Sequence, residues 1–107
     1  MSKLNAKVAI VTGGAQGIGR GIVEAYVNAG AKVLLSDING AALDRAVAEL
    51  EAIGPGQVLG RVVDVTCKEQ VQAMVAAAIA HFGRLDILVN NAWKGAPLAR
   101  LEQQSDD

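Results

Sequence analysis

An α/β fold, built on a doubly wound parallel sheet with helices over its faces, is what the sequence predicts, and three observations predict it. Short apolar runs alternate from start to finish with segments whose apolar residues recur at three- and four-residue steps. The runs are continuous rather than alternating, as in strands buried on both faces. The turns between the units are marked by Gly, Asn and Asp, residues that leave a strand or stop a helix. Four strands and three helices joined by right-handed crossovers would stand in the spatial order 3-2-1-4.

Val8-Ala9-Ile10-Val11, bounded by Thr12-Gly13-Gly14, is the first strand. From Gly17 the spacing turns helical, with Ile18, Ile22, Ala25, Tyr26 and Ala29 as the apolar stripe and Gly30 as a left-handed stop. Lys32 to Ser36 is the second strand, closed by Asp37. Asn39 is the N-cap of a second helix carrying Leu43, Ala46, Val47 and Leu50, which Gly54-Pro55-Gly56 breaks. Val58 to Val63 is the third strand. Thr66 with Glu69 three residues later predicts a capping box at the head of the third helix. That helix carries Val71, Met74, Val75, Ala78, Ile79 and Phe82, and Gly83 ends it. Leu85 to Val89 is the fourth strand, ending in Asn90-Asn91. Residues 1–92 thus make one βαβαβαβ unit, and 93–107, with Gly95, Pro97 and a polar end, an irregular tail.

Composition narrows the function classes. The 107 residues are 51% apolar and 20% charged, which suits one small globular domain. A net charge of −1 with interspersed signs offers no electrostatic footprint for nucleic acid or an anionic membrane. Aromatic residues are only 3% of the chain, so a base-stacking platform is not expected. The first residues lack the apolar segment of a signal peptide, and no apolar run approaches the roughly 20 residues of a membrane span. A cytoplasmic protein is expected. The one cysteine, Cys67, has no partner for an internal disulfide, and with no base or resolving cysteine it reads as structural. His81 sits in the last turn of its helix, where a positive charge suits the dipole, and no carboxylate–histidine cluster suggests a metal.

The segment that carries chemistry is Thr12-Gly13-Gly14-Ala15-Gln16-Gly17-Ile18-Gly19, between a strand and a helix. Gly13 permits the tight turn, Gly17 the close approach of backbone to a pyrophosphate, and Gly19 close packing of the helix. Free N–H groups and the positive end of the helix then face the anion. A Walker A loop is excluded, because no Gly-Lys-Ser/Thr follows. Asp37 lies 18 residues beyond Gly19 at a strand end, where a carboxylate can accept hydrogen bonds from a ribose. Against a 2′-phosphate the same carboxylate would cost about 4 kcal/mol per unit-charge pair at 4 Å before screening. No Arg or Lys lies in the loop before Gly17 or directly after Asp37, so NAD is favoured over NADP. A plain turn residue at a strand end is the competing reading of Asp37.

With these residues in place, the chain resembles the short-chain dehydrogenase/reductase family, whose domain is of the Rossmann type. The loop matches the family's Thr-Gly-x-x-x-Gly-x-Gly form. Asp64-Val65 looks like its adenine-contacting pair, and Asn90-Asn91-Ala92 like the start of its Asn-Asn-Ala-Gly segment. The resemblance runs from about Lys7 to Pro97 and implies a cofactor site formed by Gly13, Gln16, Gly17, Ile18, Gly19, Asp37, Ile38, Asp64, Val65 and Asn90. Asp64 read without the family is a strand-end residue, and Asn90 and Asn91 are turn residues.

Two departures accompany the match. Trp93 stands where the family has glycine; an indole there either crowds the cofactor or turns outward to solvent. The family's catalytic serine and its Tyr-x-x-x-Lys pair, whose tyrosine is the general acid/base, have no counterpart. The sole tyrosine is Tyr26, within the first helix and expected to pack on the sheet, with Gly30 four positions on, and Ser105 falls outside the matching context. The expectation is therefore the NAD-binding portion of an oxidoreductase of alcohols or ketones, truncated after the fourth strand and inactive alone. A non-catalytic nucleotide- or partner-binding module is the alternative, with self-association through an exposed fourth-strand edge.

Overall fold

The computed structural model describes residues 4–91 of the chain. Seven elements follow in strict alternation: β1 (Val8–Thr12), α1 (Gly17–Asn28), β2 (Lys32–Asp37), α2 (Gly40–Ile53), β3 (Val58–Val62), α3 (Lys68–Phe82) and β4 (Ile87–Val89). All strand pairs are parallel, and the sheet order is β3-β2-β1-β4, the expected 3-2-1-4. This is the Rossmann-type arrangement. β1 is buried along its whole length, which is why it reads as an unbroken apolar run.

Two cores sandwich the sheet. On one face Val11, Val33 and Leu35 pack against Val23 and Val27 of α1 and Leu43, Ala46 and Leu50 of α2, with Tyr26 partly buried at the margin. On the other, Ile10 and Leu34 meet Val71, Met74 and Ala78 of α3. Alternate residues of β1 and β2 thus serve opposite faces. β4 lies at the sheet edge, and its three apolar residues are only half-buried. Among the described residues no helix is long and apolar enough to cross a membrane.

Caps and turns follow local chemistry, with one correction to the sequence reading of the caps. Asn39 caps α2 as expected, its side chain accepting the Ala42 N–H at 3.0 Å. Gly30 and Gly83 take positive φ just past α1 and α3, as helix stops do. The predicted capping box of Thr66 and Glu69 does not form. Helix α3 starts at Lys68 with Cys67 as its N-cap, and the Thr66 N–H and hydroxyl both donate to Asp64 Oδ1, at 2.9 and 2.6 Å. A carboxylate two residues away is the stronger acceptor and captures both donors.

The stripe of α1 is also rephased. Val23 and Val27 are fully buried, whereas Ile18 is 78% exposed and Ala25 faces solvent. Gly19, not Ile18, turns inward, because only a residue without a side chain fits against the turn that precedes it. On α3, Ile79 is likewise exposed while Val71, Met74 and Ala78 carry the burial. The third and fourth strands are shorter than read, ending at Val62 and starting at Ile87. Trp93, Gly95, Pro97, Ser105 and the expected tail lie outside the described residues.

Candidate functional site

The sheet order places a crevice at the carboxyl ends of the strands, where β1 has β2 on one side and β4 on the other. Chain connections diverge at this point, and open α/β sheets bind ligands there. Four segments converge on it: the turn after β1, the ends of β2 and β3, and the end of β4.

The turn is shaped by its glycines. Gly13 and Gly17 have φ of +64° and +58°, a left-handed conformation that costs an L side chain about 1–2 kcal/mol. A Cβ on Gly17 would meet nothing within 4 Å among the described residues, so they leave the backbone there open to an approaching group. Gly19 is the opposite case: a Cβ would stand 2.0 Å from the Gly13 carbonyl oxygen and 2.5 Å from Asn91 Nδ2. Its role is close packing of α1 on the root of the turn rather than on the sheet. Gly14, which the sequence reading passed over, is equally constrained, since its Cβ would fall 2.8 Å from Leu35 Cβ.

Gln16 is the exposed N-cap of α1, extended in backbone, and its side chain makes no capping hydrogen bond. The first turn of α1 holds no acidic residue. The first N–H groups of a helix have no partner within it, and with the positive helix end they suit an anion.

Neighbouring strand ends tie the turn down. The Gly14 N–H donates to the Ser36 carbonyl at 2.9 Å. Asp37 closes β2 with its carboxylate at the turn: Oδ2 accepts the Ala15 N–H at 3.3 Å and Oδ1 the Asn39 N–H at 3.1 Å. Ile38 beside it is 69% exposed. From β3, the Val63 N–H donates to the Asp37 carbonyl at 3.2 Å, and with Val62 paired to Asp37 this sets Asp64 two residues beyond the end of β2. The two hydrogen bonds from Thr66 hold the Asp64 carboxyl below the usual carboxylate range, so it is charged near neutrality. Val65 is half-buried against the α3 core.

At β4 the two asparagines behave differently. Asn90 buries its Oδ1 without a hydrogen-bond partner among the described residues. Asn91, named in the sequence motif but not among the candidate site residues, reaches the turn: its Nδ2 donates to the Gly13 carbonyl at 3.1 Å. Its backbone N–H donates to Thr12 Oγ1 at 3.0 Å, and the Thr12 hydroxyl donates to the Val89 carbonyl at 3.4 Å. Strand pairing alone makes these contacts, which no local spacing could have signalled. The sequence-derived residues Gly13, Gln16, Gly17, Ile18, Gly19 and Asp37 thus share one turn and its rim. Ile38, Asp64, Val65 and Asn90 follow along the same edge of the sheet.

Comparison with known proteins places this geometry in a family. The short chain dehydrogenase family pattern matches residues 7–106. The chain is 41% identical over 95 residues to 7alpha-hydroxysteroid dehydrogenase of Escherichia coli strain K12, covering 89% of this chain and 37% of that one. It is 43% identical over 105 residues to galactitol 2-dehydrogenase of Agrobacterium fabrum, covering 96% and 40%. Among solved structures, a short chain dehydrogenase/reductase of Burkholderia phymatum in complex with NAD superposes with a TM-score of 0.77 at 39% identity, over 82% of this chain and 31% of that one. A hydroxysteroid dehydrogenase of Escherichia coli gives 0.79 at 40% identity, over 88% and 40%. The chain spans about two fifths of the length of the curated relatives it matches. It belongs to the short-chain dehydrogenase/reductase family.

Proposed function

We propose that this chain binds NAD in the crevice at the head of α1, as the dinucleotide-binding unit (residues 1–92) of an oxidoreductase acting on alcohols or ketones. The observation that carries the reading is the Asp37 carboxylate, hydrogen-bonded to the Ala15 amide of the turn and so held at its rim. There it can accept hydrogen bonds from the hydroxyls of an adenosine ribose. Gly13, Gln16, Gly17, Ile18 and Gly19 form the diphosphate cradle, with the open backbone at Gly17 as the point of closest approach. Ile38, Asp64 and Val65 border the adenine, and Asn90 the far side of the crevice. The structural relative from Burkholderia phymatum, described in complex with NAD, supports the assignment. When bound, NAD supplies the hydride acceptor.

NAD is preferred over NADP. A 2′-phosphate beside Asp37 would meet like charge, and no Arg or Lys follows at position 38, which is Ile, or precedes Gly17 in the turn. Turnover by these 107 residues alone is not expected. Their one tyrosine, Tyr26, is packed in α1 and lacks a lysine four residues on, so the proton-transfer pair of the family is missing from the sequence given.

Calorimetric titration of the chain with NAD and NADP tests the first two claims, with NAD expected to bind at least tenfold more tightly. Equal affinities, or no binding of either, would sink the assignment. A hydride-transfer assay over a panel of secondary alcohols tests the third, and turnover well above background would refute it.

A further inference from the structure

Asp64, in the turn between β3 and α3, is held mostly by its own neighbours. Its carbonyl accepts the Cys67 N–H at 2.9 Å, and its Oδ1 accepts the Thr66 N–H and hydroxyl at 2.9 and 2.6 Å. These bonds lie within residues 64–67, so they fix the shape of the turn but not its tilt against α3. A further hydrogen bond ties Asp64 to the helix: its N–H donates at 2.8 Å to Oε1 of Gln70, in the first turn of α3. The sheet explains why that N–H is available. β3 is an edge strand, and the Val63 N–H points inward to the Asp37 carbonyl. The next N–H along the chain therefore points outward, away from β2, and Gln70 supplies the acceptor that a further strand would have given. The third residue of a helix ordinarily reaches back to the N–H of the N-cap. Here the Asp64 carbonyl takes the Cys67 N–H, and Gln70 reaches three residues further.

We infer that Gln70 is a positioning residue for recognition of the base: it acts through the Asp64 backbone N–H to aim the Asp64 carboxylate, without itself touching the ligand. The inference deepens the NAD reading above and rests on it. Both hydrogen bonds to this carboxylate among the described residues fall on Oδ1, which leaves Oδ2 as the charged acceptor for a ligand. Such an acceptor selects an amino group on the base, as adenine carries. It disfavours an oxo group at the same place, whose lone pairs would face negative charge. Selection of this kind depends on direction, because a hydrogen bond weakens steeply as its donor and acceptor leave line. Gln70 sets that direction through the tilt of the turn. Without its acceptor the Asp64 N–H turns to water, at little cost to the fold, since the pair lies at the surface. The effect of Gln70 is therefore on discrimination between bases rather than on folding.

The test pairs amide hydrogen exchange on the ligand-free 107-residue chain with calorimetry, on wild type, Gln70→Ala and Gln70→Glu. Alanine removes the acceptor, whereas glutamate keeps one at the same reach and serves as the rescue. The Asp64 amide is expected to exchange about tenfold faster in Gln70→Ala and at the wild-type rate in Gln70→Glu. Calorimetry compares NAD with nicotinamide hypoxanthine dinucleotide, which carries an oxo group in place of the adenine amino group. Wild type should prefer NAD by about tenfold or more. Gln70→Ala should lose about 3- to 10-fold of that preference, and Gln70→Glu should retain it. Taking the ratio cancels any effect of the added charge on the diphosphate, which both ligands share. Faster exchange with an unchanged preference would make Gln70 a structural brace and overturn the inference, as would exchange at Asp64 that does not respond. Equal binding of the two ligands by wild type also overturns it, while leaving the dinucleotide assignment standing. Binding of neither sinks that assignment, and the inference with it.

Discussion

Asp37 and Ala15 are joined across the mouth of the glycine turn, with the carboxylate Oδ2 accepting the Ala15 N–H at 3.3 Å while Oδ1 holds the Asn39 N–H at 3.1 Å. Two backbone donors from different segments aim one side chain. The acid at the end of β2 thereby belongs to the turn after β1 as much as to its own strand.

Removing the charge should therefore alter cofactor choice. In Asp37→Ser the like-charge penalty against a 2′-phosphate disappears, and the ribose loses a charged acceptor, an interaction worth about 1.5–3 kcal/mol. NAD affinity is expected to fall about tenfold or more, and NADP affinity to rise relative to it. Competition calorimetry with the two nucleotides measures the ratio. An unchanged ratio would mean that Asp37 does not face the ribose.

Gly17 and Gly19 lie two residues apart and should respond in opposite ways to alanine. At Gly17 the cost to the free protein is the left-handed φ of +58°, about 1 kcal/mol, because the added Cβ has open space around it. Binding should suffer more, since that space is where the diphosphate would come closest. At Gly19 a Cβ 2.0 Å from the Gly13 carbonyl forces α1 away from the turn, an overpacking cost of about 3 kcal/mol or more. Thermal unfolding and NAD titration of both variants separate the effects. A Gly17→Ala protein that binds NAD normally would contradict the proposed cradle.

How far these positions were legible depends on the range over which each is determined. The strands could be read because burial on both faces leaves continuous apolar runs in β1 and β2. Asn39 and Gly83 could be read because caps are decided within one turn of helix. The phase of α1 could not, since it depends on Gly19 pressing on Gly13 and therefore on the turn geometry. The capping box failed at Thr66 because Asp64, two residues earlier, competes for the same donors. The contact of Asn91 with Gly13 spans 78 positions and exists only because β4 pairs with β1. Its residue types were visible in the sequence, but its partner was not.

The rephased α1 makes a sharp contrast between two branched residues. Val23 is fully buried between the sheet and α2, so Val23→Ala should cost about 2 kcal/mol. Ile18→Ala, at a site 78% exposed, should change stability by less than about 0.5 kcal/mol. Its loss should appear instead in NAD affinity, through contact with the ligand at the head of the helix. Urea unfolding of the two variants checks the first pair of values. Equal destabilisation would restore the original phase of the stripe.

Stability should also fall in acid, for reasons lodged at opposite ends of the sheet. At the amino end, Asp86 Oδ2 accepts the Val8 N–H at 2.9 Å, and Oδ1 accepts Arg84 Nε and Nη2 at 3.1 and 2.7 Å. Chiefly the Arg84 contact, with the Val8 amide, holds the Asp86 carboxyl below its ordinary range. At the carboxyl end, the Thr66 hydroxyl and amide do the same for Asp64. A carboxyl whose folded value is depressed takes up protons more readily in the unfolded chain, so protonation favours unfolding. Its contribution is complete above the unfolded value, near pH 4, and is lost as pH falls through the lower folded value. Arg84 stays protonated throughout and adds no slope in this window. In Asp86→Asn the group cannot ionise, so the variant should be less stable than wild type at pH 7, with the gap closing as pH approaches 3. Thr66→Ala should flatten the acid limb in the same direction through Asp64. Urea midpoints measured at half-unit steps from pH 7 to pH 3 give the slopes, and parallel curves for wild type and Asp86→Asn would show that Asp86 carries no linkage.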